Sequence, residues 1–183
     1  MNIYYIIIGV CSIVLIYIFI TFNNLIKMNN LVKEAFSTMD IYLKKRWDLI
    51  PNLVEIVKGY AKHEKETLEK VTAARAISYN AMSNNQKINS NKQISKDIMK
   101  ILTISEKYPE LKANENFIKL MSELSQIEVD IANSRKYYNG TVRNYNNKVQ
   151  MFPGNIIAFI FGFKSEGMFS INAEEKENVR VEF

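Results

Sequence analysis

Twenty consecutive residues without a charge, IYYIIIGVCSIVLIYIFITF at positions 3–22, precede a chain in which apolar residues recur every three or four positions. The first pattern predicts a helix that crosses a membrane. At about 1.5 Å of rise per residue it reaches about 30 Å, the hydrocarbon thickness of a bilayer. A cleaved signal peptide fits poorly, because it would open with basic residues, hold a shorter apolar core and close on small residues. This chain opens Met1-Asn2 and leaves the run as FNNLIK. Cys11 follows Ile8, Gly9 and Val10 in mid-run, a poor context for lipid attachment. A helix apolar on every side is also hard to bury in one chain of this size. Residues 1–24 are therefore expected to form a retained, single-pass anchor. Lys27 and Lys33, then Lys44, Lys45 and Arg46, lie on its C-terminal side. Basic flanks stay in the cytoplasm, so a short N-terminus outside and a cytoplasmic main domain are expected.

From residue 25 the period is helical. Val32, Phe36, Met39, Leu43, Ile50, Leu53, Val57, Tyr60, Leu68, Val71 and Ala74 fall on one stripe, with Lys33, Lys44, Lys58, Lys62, Lys65 and Glu69 opposite. The stripe keeps its phase across Pro51, which predicts a kinked but continuous helix rather than a loop. Residues 83–91, SNNQKINSN, read as a loop. Ser90 with Gln93 forms a candidate capping box for the next helix, which points Ile94, Ile98, Ile101 and Leu102 inward and ends at Pro109. Asn114 can cap a third helix, with Glu115 in its first turn. The stripe of that helix is Phe117, Leu120, Leu124, Ile127, Ile131, Tyr138, Tyr145, Val149 and Phe152, interrupted by Gly140 and stopped by Pro153. Residues 155–161, NIIAFIF, predict a brief helix folding back on the rest, and the alternating VRVEF end an extended strap.

These elements predict an all-α chain. A single N-terminal transmembrane helix is followed by an antiparallel helical bundle of the four-helix type with a long first helix, over residues 25–163. A tail, 164–183, packs on the bundle or trails from it. Composition narrows the function classes. There are 24 Lys and Arg against 19 Asp and Glu, a net charge of +5, but no basic block interleaved with aromatics, so no nucleic-acid surface is indicated. The mild positive balance suits an anionic lipid face. The single cysteine lies in the apolar run, which leaves no disulfide framework and no cysteine metal site.

Candidate chemistry is sparse. His63 is the only histidine, flanked by Glu64 and Glu66 without a second His or Cys for zinc, and it reads as a solvated residue. A diiron bundle would need Glu-x-x-His on two helices. No nucleophile elbow, phosphate loop or dinucleotide fingerprint is present. Glu174 and Glu175 sit in a polar tail and read as solvated charge rather than an acid/base couple. No catalytic residue, cofactor or metal site is expected. One pattern is less bland: the first stripe skips two beats, and Arg46 and Glu64 occupy them, while Arg135 lies beside Tyr138 on the third helix. A buried charge needs a partner. Asp130 or Glu128 could serve Arg46, and Arg135 or Arg143 could serve Glu64. Such a network either fixes helix register or lines a groove for a partner peptide. In YNxxVxxYN, Tyr138, Val142 and Tyr145 share a face, while Asn139 and Asn146 lie about 100° away. The tyrosines read as core more readily than as a recognition surface.

The stretches IYLKKRWDLIPNLVEIVKGYAKHEKETLEKVTAARA (41–76) and IANSRKYYNGTVRNYNNKVQMFPGNIIAFIFGF (131–163), and the ending MFSINAEEKENVRVEF, resemble the LemA family of bacterial membrane proteins. Trp47 stands where that family more often has Tyr. The resemblance implies a single-pass anchor in a bacterial cell membrane and an antiparallel helical bundle, and it implies no enzymatic activity. The expected role is a membrane-anchored helical scaffold or adaptor whose partners are the lipid bilayer and another protein, a membrane protease, transporter or envelope assembly among the candidates. A self-associating protein that organises the membrane is the competing reading, and a hydrolase without a known motif ranks behind both.

Overall fold

A computed structural model of the chain describes residues 2–73 and 78–169. Among the described residues there is no strand. Six α-helices follow in order: α1 (Asn2–Tyr60), α2 (Lys65–Ala73), α3 (Asn84–Lys107), α4 (Pro109–Lys112), α5 (Glu115–Gln150) and α6 (Gly154–Ile160). The chain is all-α with a long apolar N-terminal helix. It divides into two compact units. The terminal unit takes the chain up to Phe36 and from Arg135 onward, and the central unit is Ser37–Ser134. Both long helices contribute to each unit, so this division differs from a boundary at residue 24 or 25.

In the central unit the contacts fix the direction of each leg. Asp40, Arg46 and Glu64 meet Lys87, Asn91 and Lys107, so α3 runs parallel to α1. Arg46 and Tyr60 meet Glu128 and Asn114, so α5 runs antiparallel to both. The leg between α1 and α3 starts beside Lys107 and returns Tyr79 to Asp40. The result is an up-down-up-down bundle whose second leg is short and broken. Met39, Leu43, Ile50, Leu53, Val57, Leu68 and Val71 are buried as the stripe predicts, and so are Ile94, Ile98, Ile101, Phe117, Leu124, Ile127 and Ile131.

Several expectations need correction. The first helix does not run on to Ala74. It ends at Tyr60, Ala61 leaves the helical region at φ −112°, ψ 58°, and a 3-10 turn at Lys62–Glu64 leads into α2. Tyr60, at the break, is exposed. Pro51 sits inside continuous α1. Residues 84–91 are helix, not loop: the capping box is Ser83 with Gln86, whose side chain accepts from the Ser83 N–H at 2.8 Å. Pro109 follows the end of α3 and opens the four-residue α4, where the ring costs no hydrogen bond. Asn114 caps α5 as expected, accepting from the Phe117 N–H at 3.0 Å. Phe152, placed on the α5 stripe, is exposed beyond the helix end. Ala74, Glu174, Glu175 and the VRVEF end lie outside the described residues.

The terminal unit contains the apolar run. Between Ile3 and Ile20 every residue is exposed except half-buried Ile18. Below it Leu25, Val32, Ala35 and Phe36 pack with Tyr138, Val142, Tyr145, Ile157, Ala158 and Phe169 as the buried residues of this unit. The rings of Phe36 and Tyr138 meet edge-on at 5.7 Å. The α5–α6 turn needs Gly154, because a Cβ there would stand 2.6 Å from the Lys148 carbonyl oxygen. At the other end of α6, Gly162 takes φ 75°. The Phe163 N–H then reaches the Ala158 carbonyl at 2.8 Å and the Gly162 N–H that of Phe159, the paired bonds that close a helix on a left-handed glycine.

Candidate functional site

Arg46 is the centre of the central unit's polar interior. It lies on the core face of α1 with 3% of its surface exposed. Its Nε stands 2.7 Å from Glu128 Oε1, Nη1 donates to Asn91 Oδ1 at 2.8 Å and Nη2 to Ser95 Oγ at 2.8 Å. A guanidinium removed from water needs such compensation, and here two helices supply it. Of the two acids weighed for Arg46, Glu128 is the one it meets. Glu64 is half-buried in the 3-10 turn and pairs with Lys107 at 3.4 Å. The beat it skips marks the break in the helix. His63, in the same turn, is exposed.

A second node escaped the sequence reading. Tyr79 donates to Asp40 Oδ1 at 2.6 Å, and Lys87 Nζ donates to Oδ2 at 2.6 Å. Lys87 also stands 4.9 Å from the centre of the Tyr79 ring, which packs on Trp47 at 5.6 Å. Burial, then the bond to Asp40, pushes the Tyr79 phenol well above its ordinary range. Asp97, also buried, accepts from Gln93 and Lys100 at 3.0 Å each. The signal for the first of these was Lys87 one helical step of four before Asn91, visible only once residues 84–91 are helix, whereas Asp97 lies off that face and gave none.

The other three candidates, Arg135, Tyr138 and Tyr145, belong to the terminal unit, where they line a cradle for the extended segment 164–169. Asn146 bonds the backbone of Glu166 from both ends of its amide, 2.9 Å each. Asn139 does the same to Phe169 at 3.0 and 2.8 Å. Seven helical residues advance about 10.5 Å, and three extended residues about 10 Å, so the repeat of YN by seven matches the strap's own spacing. Tyr138 donates to the Gly167 carbonyl at 2.9 Å, and the Arg135 guanidinium lies 4.3 Å over the Phe169 ring. Tyr145 is buried. Burial first and Glu166 second raise the phenol pKa of both tyrosines.

Among the described residues no group of three or more His, Cys, Asp or Glu is placed to hold a metal ion. Over residues 35–183 the sequence matches the LemA family. The chain belongs to the LemA family. This membership places it among membrane-associated proteins without an assigned activity. Protein LemA of Metamycoplasma hominis is 25% identical over 158 residues, covering 86% of this chain and 72% of that protein. Magnetosome proteins MamQ 1 and MamQ 2 of Paramagnetospirillum magneticum are 32% identical over 65 residues, 36% of this chain and only 24% of theirs. The match to the family starts at residue 35 and takes in Arg46, Asn139 and Asn146, whereas the apolar run lies before it.

Proposed function

We propose that this LemA-family chain is a non-enzymatic helical scaffold, held in the bacterial cell membrane by one pass of α1 and presenting its central unit to a protein partner on the cytoplasmic side. The observation that carries the reading is α1 itself. Its first turns bear exposed apolar side chains from Ile3 to Ile20, and the same helix, unbroken, supplies the buried stripe from Leu25 to Val57. The basic flank from Lys27 supports an inner bundle. The buried ionic nodes serve the bundle, since Arg46 is enclosed and bonded to two other helices.

The test uses the full-length chain in its cells, with a photo-crosslinking residue at exposed Met99 or Ile118 of the central unit. Recurrent crosslinks to one other protein, in a membrane fraction that resists alkaline extraction, are the expected result. Crosslinks only between copies of this chain would favour a self-associating structural protein. Cleavage of the central unit by protease added to intact cells would reverse the orientation, and recovery of the unprocessed chain without detergent would end the anchor reading.

A further inference from the structure

We infer that the turn after α5 and the outer face of α6 enter the lipid interface, giving the protein a second membrane contact beside the α1 span. The proposal rests on the anchor reading above and adds a depth to it.

Between Lys148 and Lys164 the chain reads VQMFPGNIIAFIFGF, without a charge. Within α6, Ile157 and Ala158 turn inward, and Ile156, Phe159 and Ile160 lie outward at spacings of three and four. They are far from covered: Phe159 is 86% exposed and Ile160 66%, and Phe152 in the preceding turn is 79% exposed. A soluble surface seldom gathers so many large apolar side chains in one place.

The position of this patch says what covers it. Phe22, the last residue of the apolar run, packs on Phe161 at 4.6 Å and on Phe163 at 5.9 Å between ring centres. A cavity of about 470 Å³ has Tyr17, Ile20 and Thr21 on one wall and Met151, Phe152 and Pro153 on the other. All of these residues belong to the terminal unit. The α5–α6 turn therefore lies level with the last turns of the span. From Tyr17 to Phe22 is about 7.5 Å along a helix, within the depth of about 5–10 Å at which interfacial helices bury their apolar faces. A span that crosses the bilayer through residues 3–22 carries Phe152, Phe159 and Ile160 to the acyl boundary with it. Exposed Lys148 and Lys164 at the two ends of the segment are suited to anionic headgroups. The occupant is lipid rather than a second protein because the patch continues the exposed apolar surface of the span itself.

The test places an environment-sensitive fluorophore at single cysteines in the full-length protein, labelled in detergent and reconstituted in equimolar phosphatidylcholine and phosphatidylglycerol vesicles. The wild-type Cys11 reports the span. In a Cys11→Ser background, Phe159→Cys reports α6 and Ser122→Cys, on the exposed side of α5, reports the aqueous face. Quenching by lipid-borne nitroxide is expected to be several-fold greater at position 159 than at 122, and a water-soluble quencher is expected to show the reverse order. Quenching by lipid at 11 but not at 159 overturns the proposal and leaves the anchor standing, whereas absence at both sites overturns the anchor. Shielding of 159 from both quenchers means that protein covers the patch, a second copy or another part of this chain, and also overturns the proposal. A second variant, Ile160→Cys, repeats the measurement should the label at 159 disturb packing.

Discussion

In the central unit the interior polar contacts centre on ions, Arg46 against Glu128, Asp40 against Lys87 and, within α3, Asp97 against Lys100, with neutral Asn91 and Ser95 completing the shell of Arg46. In the terminal unit they are mostly neutral: Asn139, Asn146 and Tyr138 bind backbone, and the Arg135 cation lies against a ring. The difference follows from surroundings. Glu128 and Lys100 keep 40% and 46% of their side chains open to water, which lowers the cost of burying Arg46 and Asp97. Amides bonded to main chain carry no charge and need no such opening. Exterior surfaces follow the same division, with large exposed apolar residues scattered singly on the central unit and crowded along α1 and α6 on the terminal one.

The strongest way to break this contrast is Arg46→Ala, which leaves Glu128, Asn91 and Ser95 facing a void. A loss of about 3 kcal/mol in urea unfolding is expected, with Arg46→Met recovering much of it because the volume returns without the charge. A negligible loss would show that the ionic interior holds nothing. Gly154→Ala comes next, at about 2 kcal/mol, since its methyl group meets a rigid carbonyl rather than a side chain. Thermal melting should register the drop. Asn139→Ala is expected to cost about 1 kcal/mol and to act locally. Amide exchange should quicken at Phe169 while Phe117 in the central unit keeps its protection, and equal quickening at both would argue against a separately held strap.

The smallest effect sharpens what the units share. Tyr79, Tyr138 and Tyr145 all have phenols raised by burial. The folded state then holds the proton longer than the unfolded one, so their contribution to stability is complete below about pH 10 and is lost as pH climbs through the folded values. Tyrosinate absorbance should show these residues titrating after the exposed ones, and Tyr79→Phe should flatten the alkaline fall in melting temperature.

Helix content, the apolar run and most core positions were legible because side-chain period survives in the sequence whatever the helices pack against. The start of α3 was not. SNNQ at 83–86 and SNKQ at 90–93 are equally good caps on paper. The intervening polar residues look like loop because Lys87 and Asn91 turn inward to Asp40 and Arg46, partners on another helix that periodicity cannot supply. The break at Ala61 hid for a related reason: Leu68 and Val71 resume the stripe in phase after the 3-10 turn. Arg46 was recognisable as an interrupted beat, and its acid partner could be narrowed to two. The cradle was half visible, since the tyrosines of YNxxVxxYN read as core while the asparagines gave no hint that a tail would lie on them.

A hold taken on peptide groups is blind to what hangs from them. Lys164 and Met168 can drift under mutation while the segment stays seated, whereas either asparagine, exchanged for a residue without an amide, releases one end of it. The seat of segment 164–169 on α5 thus depends on two carboxamides seven residues apart.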